Sequence, residues 1–211
     1  MQNLLTKLDV ARHQLGTALD LFIRDVDPVS VQCLACGGSE MIEAVAHLEK
    51  IEPFSTHILR TQPQLDLGKV RGLQRQYWNA FKHMTSRKGE VRDDSETLAA
   101  FDDTKNDVAL FIGWWDYQSL VNRLPIAAQV FQVWFYAMNE EKLAPGTDVG
   151  SIRAIFGNIV DVDRAEQKKR LRLVVEHYST DKNLIGNPLT EDIPLCVPAA
   201  AFSRQGRSKI S

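Results

Sequence analysis

The sequence predicts an all-α protein: a helical bundle of five to seven helices followed by a less regular C-terminal arm. Three observations carry that expectation. Apolar residues recur at spacings of three and four through most of the first 178 positions, the period of helices with one buried face. Aspartates stand directly before several of these stretches, where a helix start needs a side-chain oxygen. No stretch alternates strands with helices, which excludes a doubly wound sheet. The length of 211 residues suits one domain, with residues 1–178 as the bundle and 179–211 as an extended arm and tail.

The elements follow in order. Leu4, Leu5, Leu8, Ala11, Leu15, Ala18, Leu19 and Phe22 make one stripe, with Lys7, Asp9, Arg12, Gln14 and Asp20 mostly off it, so the first helix stops near Asp25. Asp27-Pro28 places an N-cap and an N1 proline at the start of a second helix running to about Lys50. Gly37-Gly38 lies inside that helix at a cost of roughly 1 kcal/mol per glycine against alanine, which close approach of another helix would offset. Residues 53–66 hold two prolines and read as a loop with at most a turn of helix. A third helix spans 67–84, with Val70, Leu73, Tyr77 and Phe81 on one side, and a polar connection fills 85–103. Asp102 or Asp103 caps a fourth helix and Pro125 opens a fifth, which Ala144-Pro145-Gly146 closes. Asp148 and Asp163 start a sixth and a seventh. After Tyr178 three X-Pro pairs and a polar end from Ser203 give the arm and a frayed tail.

Composition limits function before any motif is considered. A net charge of −2 argues against a strongly basic nucleic-acid domain but leaves room for a local patch. The longest apolar run, residues 108–115, falls far short of a membrane span of ~20 residues. Three cysteines leave an odd one in any disulfide scheme, and the start is amphipathic, so a cytoplasmic protein is expected. Phosphate-loop, dinucleotide-binding, nucleophile-elbow and His-Glu-x-x-His motifs are absent, and no cofactor is expected. Cys33-Leu-Ala-Cys36 falls inside a helix, which favours reduced, buried, unligated thiols over redox chemistry. Glu40, Glu43 and His47 share a helix face, but no Glu-x-x-His accompanies them, so no metal is expected.

The candidate site is the segment from Arg75 to Lys88. Asn79 and His83 lie four apart, and Arg75 one turn earlier, so a guanidinium, an amide and an imidazole share one stripe near a helix C-terminus. There the helix dipole favours imidazolium, and such a histidine can serve as general acid or base. The competing reading is a histidine that caps its helix. Lys82, Arg87, Lys88 and Arg92 add positive charge suited to a phosphate-bearing ligand. Asp93, Asp94, Glu96, Asp102, Asp103 and Asp107 follow with negative charge, and the competing reading is that both sets are solvated. A second basic stretch at Arg164, Lys168, Lys169, Arg170 and Arg172 reads as a solvated helix face. Trp114-Trp115-Asp116-Tyr117 and Trp134-Phe135-Tyr136 are dense in aromatics. Neighbours on a helix point about 100° apart, so one of each group faces a second helix, a dimer interface or a ligand pocket. A homodimer using Trp114, Trp115, Trp134 or Tyr136 is expected.

Asn79-Ala-Phe-Lys-His83, with Lys7–Arg12, Asp27-Pro-Val-Ser and Phe101-Asp, resembles a group of uncharacterised bacterial helical proteins with an N-x-F-K-H signature. The resemblance covers residues 5–140 and implies a bacterial source. A looser similarity is to HEPN domains, small dimeric helical bundles that include RNases and partners in toxin–antitoxin and defence systems. Asn79 and His83 match the polar-then-His part of their nuclease motif, whereas Arg75 stands further from His83 than the motif has it. The resemblance implies a HEPN-like interaction protein linked to RNA. An enzyme or ligand-binding protein using the Arg75, Asn79 and His83 face, and a purely structural bundle, are the alternatives.

Overall fold

The computed structural model describes residues 5–86 and 88–202. It is all-α. The helices are α1 (Lys7–Ile23), α2 (Pro28–Leu48), α3 (Phe54–Thr61), α4 (Leu67–Lys82), α5 (Ser95–Ala99), α6 (Lys105–Val121), α7 (Ile126–Met138), α8 (Val149–Phe156), α9 (Arg164–Tyr178) and α10 (Lys182–Ile185). Single 3-10 turns lie at Glu140–Lys142 and Ala199–Phe202. Seven of these match the expected helices; α3, α5 and α10 are the short additions. Residues 53–66, expected to be a loop, hold two turns of helix because Pro53 sits at the N-cap, where its missing N–H costs nothing.

Aspartates start the helices as expected. The side chains of Asp27, Asp148 and Asp163 accept from the backbone N–H three residues on. The fourth expected cap differs: α6 begins after Thr104, while Asp102, two residues before it, accepts from Thr104 N–H.

The core is built on α1, α2, α6 and α7. Phe22, Phe131, Trp114 and Trp134 are fully enclosed, with Phe22 edge-on to Phe131 and Trp134. Gly38 fits the close contact of α1 with α2, since a Cβ there would lie 3.0 Å from both the Ala11 carbonyl oxygen and Leu15. Gly113 serves the same purpose where α6 meets Leu15 and Ser39.

Two expectations about charge are corrected. Arg164 and Lys168 are not a solvated face. Lys168 is 2% exposed, with Nζ 3.0 Å from Asp25 and 2.8 Å from Asp103, and it lies over the Phe22 ring. Arg164 bonds Asp103 and both carboxylate oxygens of Asp107. Asp103 and Asp107 therefore neutralise α9 across the bundle, while Asp94 pairs with Arg92 of the basic loop beside it in sequence. The buried Lys168 and half-buried Arg164 are tolerated because each meets carboxylates directly. The second correction is Arg12, which lies off the expected stripe yet is 3% exposed.

Arg12 is buried by the C-terminal arm. Leu124 N–H donates to Leu189 O and Glu191 N–H to Leu124 O, a single parallel bridge. Glu191 then turns inward and accepts from Arg12 Nε at 3.0 Å and from the Tyr117 hydroxyl at 3.1 Å. Arg12 also donates to the carbonyls of Ile193, Pro194 and Leu195. Gly16 is required beneath this strap, because a Cβ there would collide with the Leu195 carbonyl. Residues 203–211, expected to fray, lie outside the described residues. Among the described residues no helix is long and apolar enough to cross a membrane.

Candidate functional site

Helix α4 ends at Lys82, and His83 is its C-cap, with φ −121° and ψ 113°. His83 N–H donates to Asn79 O at 3.2 Å, which closes the last turn. The His83 ring is exposed and makes no hydrogen bond among the described residues, so it does not cap a carbonyl with its side chain. Asn79 is half-buried on the preceding turn. Lys82 lies with Nζ 3.4 Å from the Trp78 ring centre, a cation–π contact that fixes its stem. Residues 84–86 and 88–92 then pair back on one another. Thr85 faces Val91, Ser86 N–H donates to Glu90 O, Arg92 N–H donates to Met84 O, and Gly89 supplies the positive φ of the turn. Met84 and Val91 are 81% and 80% exposed. Lys88 is exposed beside them. Arg92 is neutralised by Asp94. Arg87 lies outside the described residues.

Arg75 does not join this group. It points to α2, where it donates to Glu40 Oε1 at 2.8 Å and Glu43 Oε2 at 2.5 Å. Glu43 is 7% exposed and also accepts from Arg71 Nε and the Ser55 hydroxyl, while His47 stands 3.9 Å away. The Glu40, Glu43 and His47 face read from the sequence is thus the docking surface for α4. Behind it Asp116 of α6 is 2% exposed and accepts from Phe54 N–H at 2.6 Å. Burial, with the Glu43 charge adding to it, pushes the Asp116 carboxyl up to about 7. A cavity of about 30 Å³ between these groups also touches Cys36 and Gln74.

Cys33, Cys36 and Cys196 are free thiols. Cys33 is only half-buried, contrary to expectation, because its side of α2 is not fully covered. Burial pushes the Cys36 thiol up to about 12, so it stays protonated and unreactive at neutral pH. Among the described residues no group of His, Cys, Asp and Glu is placed to hold a metal ion.

The aromatic clusters divide as their helical angles require. Trp114 and Trp134 have no exposed surface, so they are removed from the set of dimer-interface candidates. Trp115, Phe135 and Tyr136 are half-buried and turn to the other side. With Phe54 and Phe111 they line an open groove of about 560 Å³ between α3, α6 and α7. Phe111 and Phe135 stack at 4.1 Å, and Trp115 leans on both Phe54 and Phe111.

No protein-family model, curated protein or solved structure matches this chain. The functional reading rests on its own geometry.

Asp116, Ser55 and the groove were missed by sequence reasoning. A signal for Asp116 was present: it is the one acid in an otherwise apolar-aromatic stretch of α6. Ser55 and Phe54 gave none, because their role depends on the unexpected helix α3.

Proposed function

We propose that this protein is a helical interaction protein whose working surface is the projecting end of α4 and the paired segments after it, directed at an anionic, phosphate-bearing partner. RNA is the partner we favour, in line with the HEPN resemblance. The observation that carries the reading is that Lys82, His83 and Lys88 reach solvent without a carboxylate ion pair among the described residues, next to the exposed apolar Met84 and Val91. Unpaired lysine ammonium groups beside apolar side chains suit a phosphate backbone with partly unstacked bases.

The reading is one of binding, not turnover. A general acid or base contributes roughly 10²–10⁴-fold alone, and the nearest second group, Arg75, is already neutralised by Glu40 and Glu43. A homodimer remains compatible with this reading, with Trp115 and Tyr136 the two of the four expected aromatics that reach the surface.

Fluorescence anisotropy with a labelled single-stranded RNA tests it. Binding is expected to weaken with salt, and the Lys82→Glu/Lys88→Glu double variant to lower affinity by at least about tenfold and the salt slope by about 1.4. His83→Ala, at an exposed position, should change stability by no more than about 0.5 kcal/mol. Salt-independent binding, or a double variant that binds like wild type, removes the proposal.

A further inference from the structure

We propose that the groove between α3, α6 and α7 is a binding site for a small planar aromatic molecule that carries one anionic group. The volume of about 560 Å³ falls within the roughly 300–1,000 Å³ of small-molecule sites. Its walls are ring faces and edges: the Phe111–Phe135 stack on one side, Trp115 and Phe54 on the other. Flat rings are the surface that a flat ligand covers with least loss of side-chain freedom.

The rim supplies the charge argument. Lys142, His57 and Tyr136 bring donors to the groove, and no carboxylate is among its lining residues. Lys142 keeps one bond to Asn139 Oδ1 and a loose surface pair with Glu141, both partners mostly exposed, so its ammonium has donors to spare. The exposed His57 ring and the Tyr136 hydroxyl make no hydrogen bond among the described residues, although Tyr136 is half-buried. Spare donors, with Glu141 only loosely paired at the rim and no carboxylate in the lining, favour an anion over a cationic ligand.

The test uses two fluorescent probes with the same ring skeleton, anilinonaphthalene sulfonate and the uncharged N-phenylnaphthylamine, titrated into the full chain. One sulfonate per chain should bind saturably and tighter than the neutral probe, by about two- to fivefold. Lys142→Glu, at an exposed position, should remove that preference. Ala144→Trp, which fills the groove from its exposed edge, should weaken both probes. Ile155→Arg, in a separate apolar recess among α7, α8 and α9, should change neither. Equal affinity for the two probes overturns the proposal, as does a preference that survives Lys142→Glu or a loss seen only with Ile155→Arg. A dimer by light scattering that excludes the probe and is broken by Ala144→Trp also overturns it, and assigns the groove to a second copy. None of these outcomes depends on RNA binding.

Discussion

A carboxyl group enclosed between two helices resists ionisation, and Asp116 shows the consequence for stability. Its folded pKa of about 7 lies above the ordinary 3.8. Below pH 4 both folded and unfolded chains hold the proton and nothing is lost. Between pH 4 and 7 the unfolded chain releases it while the folded chain retains it, so folding is progressively disfavoured as pH rises. Asp116→Asn keeps an acceptor for Phe54 N–H and removes the titration. The variant should therefore match wild type near pH 4 and exceed it at pH 7, by up to about 4 kcal/mol. Urea denaturation at the two pH values checks this. A stability difference that does not grow with pH would show that Asp116 is already ionised in the fold.

At the scale of the element, α4 is held by charge more than by apolar burial. Val70 and Tyr77 are its only buried residues, and Leu73, placed on the apolar side by sequence, is 60% exposed. The expected stripe splits because α4 meets α2 through Arg71 and Arg75 on Glu43, while an open recess separates Leu73 from α6. Tyr77 and Phe81 instead pack on Phe101 beyond α5. Removing Glu43 should free this limb without melting the bundle. Glu43→Ala is expected to cost about 2–3 kcal/mol, below the full figure for a buried pair because Arg71 reaches solvent and Arg75 keeps Glu40. Hydrogen exchange should accelerate in α3 and α4 and stay unchanged in α1, α6 and α7. Uniform acceleration throughout would mean that the limb belongs to one cooperative unit with the core. The proposed RNA surface lies at the far end of α4, so the same variant tests whether that surface needs a docked helix.

For the whole molecule, the chain's beginning and its arm are one structure. Arg12 near the start and Glu191 near the end pair at 4% and 6% side-chain exposure. Glu191→Ala would leave a buried guanidinium without its carboxylate, at an expected cost of about 3–5 kcal/mol. Adding Arg12→Met should recover part of the loss but not all, because three arm carbonyls then lose their donor. Equilibrium denaturation of the two variants measures this. A cost for Glu191→Ala of under about 1 kcal/mol would show that the arm is a removable cover.

The sequence by itself determined the helices and their class. Periodicity, Asp caps and Pro at N1 act within a few residues of one another, so α1, α2, α4, α6, α7, α8 and α9 were legible from local pattern. It also determined that Gly37-Gly38 marks a close helix contact, because a glycine pair inside a helix needs such an offset. The tertiary structure alone decided what each charge does. Arg75 meets Glu40 and Glu43 from another helix, Lys168 meets Asp25, and Arg12 meets Glu191 from the opposite end of the chain. It also decided which aromatics are core and which line the groove: Trp114 and Trp115 are neighbours in sequence but point to opposite environments. The physical reason is range. Backbone hydrogen bonding and amphipathic period are set by residues within a turn or two, whereas burial and ion pairing are set by whichever elements the packing brings within a few ångströms.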